Sequence, residues 1–180
     1  MRRRCMKSDE ELIASANNGD AEAFDAIYYR YRDWVYRLAW RFTGNHQDAL
    51  DVLQETFSYL LKKFPGFELT ASMTTFLYPV VKHISLAGRR RSRRFASDEE
   101  VLSHIPAPPA EEASRAELAA ALGPLKDQQR EVLLMRFVDD MSLKEIAAAL
   151  KIPLGTVKSR LHHALQRLRE DARTRAYFLQ

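Results

Sequence analysis

The chain has 180 residues, 46% of them apolar and 29% charged, an ordinary globular composition that excludes disordered and fibrous classes. No apolar run approaches the ~20 residues needed to cross a bilayer, the basic start MRRRCMK leads into Ser8-Asp9-Glu10-Glu11 instead of the apolar core of a secretory signal, and Cys5 has no second cysteine to pair with. The formal net charge of +4 hides a layout: Met1 to Arg94 carries +5, Phe95 to Leu125 carries −5 and Lys126 to Gln180 carries +4.

Two basic modules joined by an acidic strap point to an anionic partner for the modules. The expected location is the cytoplasm. With few glycines, no Asn-Gly or Asp-Gly turn and no period-two segment, strands have little support, so the expected fold class is all-α.

Ser8 followed by Glu11 has capping-box spacing and predicts a short first helix, halted at Asn17-Asn18-Gly19. Asp20 then caps a long second helix ending at Gly44. Its apolar stripe is Phe24, Ile27, Tyr28, Tyr31, Val35, Leu38 and Phe42, and Tyr29, Tyr36 and Trp40 form a second aromatic strip. A third helix, from about Gln47 to Lys63, is expected to turn Leu50, Leu53, Phe57, Leu60 and Phe64 inward before Phe64-Pro65-Gly66 breaks it. Opposite them Asp48, Asp51, Gln54, Glu55 and Ser58 fall within about a third of the circumference. Such a strip is either a solvated face or a partner surface.

After a loop from Glu68 to Thr75, a fourth helix is expected to carry Phe76, Val80, Ile84 and Ala87 inward. It ends in the run Arg89, Arg90, Arg91, Arg93 and Arg94. Pro79 predicts a kink or a late helix start, because a proline in the helix interior costs ~3 kcal/mol and one in the first turn costs little. From Phe95 to Glu112 the sequence FASDEEVLSHIPAPPAEE has three prolines and no apolar period, the mark of a flexible acidic linker. Its carboxylates either stay solvated or occupy a basic groove in place of nucleic acid.

Helical signal returns from Ala110 to Leu122, stops at Gly123-Pro124, and resumes from about Asp127 to Val138. The stretch SLKEIAAALKIPLGTVKSRLHHALQRLRE follows. Ser142 and Glu145 make another capping box, a short helix buries Leu143, Ile146, Ala147 and Leu150, and Lys151-Ile152-Pro153 turns the chain. A longer helix then buries Leu154, Val157, Leu161, Leu165 and Leu168, giving a helix-turn-helix. The second helix of that motif enters the major groove with its N-terminal half against base edges. Lys158, Ser159, His162 and His163 have the positions and donors to read bases there. Arg160 and Arg167 are better placed for backbone phosphates, and the first turn, with Gly155 and Thr156, is expected to offer free N–H groups to a phosphate. His162 and His163 point about 100° apart with no carboxylate or cysteine near them in sequence, which argues against a metal site.

Together, DALDVLQETF on the third helix, TFLY followed by arginines on the fourth, the proline-containing linker and LLMRFVDDMSLKEIAAALKIPLGTVKSRLHHALQRLRE resemble the extracytoplasmic-function (ECF) sigma factors of bacterial RNA polymerase. The resemblance implies two helical domains, sigma region 2 at 8–94 and sigma region 4 at 113–172, joined by the linker at 95–112. It implies that Asp48, Asp51, Gln54 and Glu55 dock on the beta-prime clamp helices of core polymerase. It further implies that the first module melts the −10 element with Phe67, Phe76, Lys82, His83 and Arg89 to Arg91 as contacts. Phe67 and Phe76 are either aromatic supports for unpaired bases or core packing. Region 4 would then read the −35 element through Thr156, Lys158, Ser159, Arg160, His162, His163 and Arg167 and touch the beta flap.

The chain departs from the family's usual pattern. Leu50 stands where a glutamate is usual, Phe76 for tryptophan, Pro79 for arginine and His83 for asparagine. Control is expected from outside the chain, through an anti-sigma factor or another regulator. Phosphorylation at Thr56 or Ser58 is a further expectation, restoring the charge that Leu50 removes. No catalytic residue, cofactor or metal is expected, since no phosphate loop, nucleophile motif or metal-spaced cluster occurs. The rival reading is a helix-turn-helix regulator that binds duplex DNA without joining core polymerase.

Overall fold

A computed structural model of the chain describes residues 7–95 and 122–170, the side chains of 89–95 excepted. Every regular element among these residues is an α-helix, and they fall into two separately packed units, 7–95 and 122–170. The expected helix from Ala110 to Leu122 and the expected linker lie outside the described residues, apart from Leu122 itself and the helical Phe95.

The first unit holds four helices. Helix α1 (Asp9–Asn17) opens with the reciprocal capping box, Glu11 N donating to Ser8 Oγ at 3.2 Å and Ser8 N to a Glu11 carboxylate oxygen at 2.7 Å. Helix α2 (Ala21–Thr43) is capped by Asp20 and stops at Gly44, whose φ of 81° is left-handed and needs a residue without Cβ. Asn45 then starts α3 (His46–Leu61) by accepting from Asp48 N at 2.8 Å. Asp9 ties α1 to α2, because its carboxylate receives both the Arg30 guanidinium and the Tyr31 hydroxyl. Burial, reinforced by that bond to Asp9, holds the Tyr31 proton well above the usual phenol range.

The core of this unit differs from the sequence expectation in the face that two helices present. On α3 the buried positions are Ala49, Val52, Thr56, Phe57 and Leu60, whereas Leu50 is 37% exposed and Leu53 half-buried. Ala49, Val52, Thr56, Phe57 and Leu60 share the face that α3 seats against the rest of the unit, which turns Leu50 outward. On α4 (Met73–Phe95) the buried row is Met73, Leu77, Val81 and Ser85, joined by Tyr78. Phe76, Val80 and Ile84 sit half-buried beside it, and Ala87 is exposed.

Pro79 does not delay α4. The helix begins at Met73 and runs through the proline. Its start is fixed upstream, where the Ser72 hydroxyl accepts from Thr75 N at 3.3 Å and meets the Thr75 hydroxyl at 2.9 Å. A proline nitrogen cannot bond the Thr75 carbonyl four residues back, so α4 is tied down by its cap and its buried row instead.

The second unit packs α5 (Asp127–Phe137), α6 (Leu143–Leu150) and α7 (Leu154–Glu170). Its core joins Leu122, Leu125, Leu133 and Ala164, with Leu161, Leu165 and Leu168 of α7 packed against them. Arg130 organises the entry to α5: its guanidinium donates to the carbonyls of Leu122 at 3.2 Å, Gly123 at 3.4 Å and Leu125 at 3.0 Å. Ser142 and Glu145 form their capping box on α6. The chain then reverses at Lys151, whose φ is 53°, with Ile152 N bonded to the Ala147 carbonyl at 3.0 Å.

Candidate nucleic-acid and protein interfaces

On α3, Asp51, Gln54, Glu55 and Ser58 are exposed and Asp48 half-buried, so the polar strip faces solvent as one surface. Asn45 Nδ2 donates to the Asp48 carboxylate at 2.6 Å and Gln47 reaches Asp51 at 3.4 Å. Bordering the strip lies a groove of about 260 Å³ between α2 and α3, lined by Phe24, Tyr28, Leu50, Leu53, Phe57 and Leu61 together with Gln54 and Ser58 of the strip itself. Leu50 and Leu53 are therefore groove walls and not core. Thr56 is fully buried, which removes it as a phosphorylation site in the folded protein; Ser58 stays exposed.

At the loop before α4, the Asn17 side chain reaches about fifty residues along the chain. Its amide oxygen accepts from Gly66 N at 2.7 Å and Phe67 N at 3.0 Å, and its nitrogen donates to the Phe67 carbonyl at 2.9 Å. Phe67 is thereby held in the core, 7% exposed, with its ring 4.9 Å from Phe76 and 5.4 Å from Phe64. Of the two readings of Phe67, core packing is the one realised here. Phe76 is half-buried and its ring stacks on Tyr59, 6.4 Å between centroids and 18° from parallel. Tyr59 is 41% exposed and carries the Lys63 ammonium 4.8 Å from its ring centroid.

Sequence reasoning passed over Tyr59. The available signal was its i, i+4 spacing to Lys63 and its position off the apolar stripe. Further along α4, His83 is exposed and Lys82 half-buried. Arg89, Arg90 and Arg91 belong to the last turns of the helix, with side chains outside the described residues.

In the second unit, α6, the Lys151–Pro153 turn and α7 make the helix-turn-helix. Val157 and Ala164 are the buried positions of α7, and Lys158, Ser159, His162, His163 and Arg167 are exposed while Arg160 and Thr156 are half-buried. The structure thus brings Lys158, Ser159, His162 and His163 onto the open side of α7. It corrects one detail of the first turn: Thr156 N–H is not free, since it donates to the Pro153 carbonyl at 2.9 Å. No group of three metal-binding side chains forms among the described residues.

Residues 27–95 match the family Sigma-70 region 2, and residues 121–170 match Sigma-70, region 4. Over 91% of its length the chain is 30% identical to the ECF RNA polymerase sigma factor SigW of Bacillus subtilis (strain 168), covering 96% of that protein. The chain belongs to the ECF sigma factors.

Two solved structures share the fold of this sigma factor. CnrH in complex with the cytosolic domain of CnrY gives a TM-score of 0.69 at 24% identity over 91% of this chain and 96% of that one. The sigma factor RpoE in complex with the anti-sigma factor NepR from Bartonella quintana gives 0.61 at 20% identity over 83% and 96%. As a sigma factor the protein binds core RNA polymerase and directs transcription initiation at promoters. A free-standing helix-turn-helix regulator would have no use for the first unit, which is the region 2 match. The family is not an enzyme family. No helix among the described residues is long and apolar enough to cross a membrane.

Proposed function

We propose that the two units divide the work of promoter selection, region 2 occupying 8–94, a linker 95–112 and region 4 occupying 113–172. The exposed strip of Asp48, Asp51, Gln54 and Glu55 docks on the beta-prime clamp helices of core polymerase. Phe76, Lys82, His83 and Arg89 to Arg91 meet the −10 element as it opens, and Phe67 supports them from inside the unit. On the duplex, Lys158, Ser159, His162 and His163 of α7 read the −35 element while Thr156, Arg160 and Arg167 hold phosphates, and region 4 also meets the beta flap. The observation that carries this reading is the exposure of a polar strip in one unit and of a basic helix face in the other.

Phosphate contacts give salt-sensitive, sequence-independent affinity and base contacts give selection. The protein adds no catalytic chemistry, metal or cofactor of its own, and its task lies in the cytoplasm with the polymerase. By likeness to the CnrH and RpoE complexes, an anti-sigma factor or another external regulator holds it inactive. Run-off transcription with bacterial core polymerase and a fragmented genomic DNA pool tests the reading. Promoter-dependent transcripts that require the protein are expected, and their absence across the pool would overturn it.

A further inference from the structure

Where α5 begins beside α7, the second unit has an open cleft of about 420 Å³ that the helix-turn-helix does not account for. One wall is the start of α5, with Lys126, Gln128 and Gln129; the other is the flank of α7, with Ser159, Arg160 and His163. The groups that converge are donors in the main. The Lys126 ammonium brings three N–H donors and no acceptor, the Arg160 guanidinium five, and the glutamine amide and serine hydroxyl can each donate. The single carboxylate at the cleft, Asp127, is fully exposed at its rim, where water screens it, and lies 3.4 Å from the Arg130 guanidinium. Such a set suits an oxyanion and not an apolar or cationic ligand.

The cleft is continuous with the open face of α7, since Ser159, Arg160 and His163 belong to both. A helix lying in the major groove, about 12 Å wide, has a phosphate backbone on either side. The start of α5 shares the cleft with this flank of α7, so a group seated there lies beside the face of α7 that would enter the groove. We infer that Lys126, with Gln128 and Arg160, seats a DNA backbone phosphate, making the start of α5 a second arm of the duplex contact outside the helix-turn-helix. This rests on the reading of α7 as the duplex-binding helix. Lys126 then adds affinity without sequence preference and fixes the register in which α7 meets the bases.

The test is fluorescence anisotropy of the full chain on two duplexes of unrelated sequence, with affinity followed from 50 to 200 mM salt. Neutralising one phosphate contact makes the slope of log affinity against log salt shallower by about 0.9. Lys126→Ala is expected to produce that change and to weaken binding several-fold on both duplexes alike. Gln128→Lys is expected to steepen the slope, and Lys7→Ala, which removes the same formal charge from the other unit, to leave it unchanged. Lys126 and Lys7 are exposed and make no side-chain hydrogen bond in a cap, so both variants keep the fold. An unchanged slope for Lys126→Ala, or an equal loss for Lys7→Ala, overturns the inference while wild-type binding persists. Failure of the wild-type protein to bind either duplex, both alone and assembled with core polymerase on a duplex from a promoter that it directs, overturns the reading of α7 itself.

Discussion

Asn17 holds Phe67 across 50 residues, its one side-chain amide bonding the Phe67 N–H, the Phe67 carbonyl and the Gly66 N–H. The end of α1 thereby sets where the loop before α4 begins, and with it the position of Phe76, whose ring lies 4.9 Å from Phe67. Replacing Asn17 by alanine leaves three backbone groups without their partner, at a cost of about 2 kcal/mol. Urea denaturation is expected to show that loss, with Asn17→Asp retaining the two accepted bonds and falling between. A wild-type midpoint for Asn17→Ala would show that the loop is held by its ring contacts alone.

Leu50 sits on the groove side of the acidic strip and contributes little to the core. Leu50→Glu should therefore change stability by less than about 0.5 kcal/mol. It should tighten association with core polymerase at low salt by up to about 1 kcal/mol, roughly fivefold, and Glu55→Lys should weaken it by as much. Competition for core polymerase against a labelled sigma factor reads both effects. Each should fade as salt is raised, because exposed charge pairs are screened.

Thr56 and Ser85 are fully buried, and neither hydroxyl has a hydrogen-bond partner. A buried hydroxyl without a partner costs about 1 to 3 kcal/mol. Thr56→Val, which keeps the shape, is expected to raise stability by about 1 kcal/mol, or about 5 °C in Tm for a unit of this size. Thr56→Asp should unfold region 2 by burying an unpaired charge. Circular dichroism melts of the two variants decide whether position 56 is structural, and activation by Thr56→Asp would contradict it.

Tyr31 keeps its proton to a higher pH in the folded protein than in the unfolded chain, through burial and the bond to Asp9. Below about pH 10, the ordinary tyrosine pKa, both states are neutral and the contribution to stability is complete. Above it the unfolded state loses the proton first, so stability falls as pH rises. Denaturation measured from pH 8 to 11 should show an alkaline loss that Tyr31→Phe abolishes.

Much of this architecture is legible before any coordinates. The capping boxes at Ser8 and Ser142, the cap at Asp20 and the stop at Gly44 are local chemistry, decided within four residues of themselves. The facing of α3 and α4 is not local. Two rows on α3 have helical spacing, one with Leu50 and Leu53 and one with Ala49, Val52 and Thr56, and Phe57 and Leu60 are common to both. Which row is buried is decided by the helices that pack against α3, and spacing along α3 alone does not separate the two.

The sites divide along the same line. Lys158, Ser159, His162 and His163 can be placed from sequence because a capped helix, a three-residue turn and an apolar row fix the face that remains. The stack of Tyr59 on Phe76 and the cleft at Lys126 cannot, since each is made by residues from two elements.

The sequence by itself determined the all-helical class, the helix ends and the sigma family. Each follows from hydrogen-bonding side chains and from motifs read along one stretch of chain. Only the tertiary structure decided that Leu50 faces a groove, that Thr56 is sealed, that Phe67 is pinned by Asn17 and that α5 meets the flank of α7. These outcomes depend on which surfaces touch across tens of residues, and the energy of that contact belongs to neither surface alone.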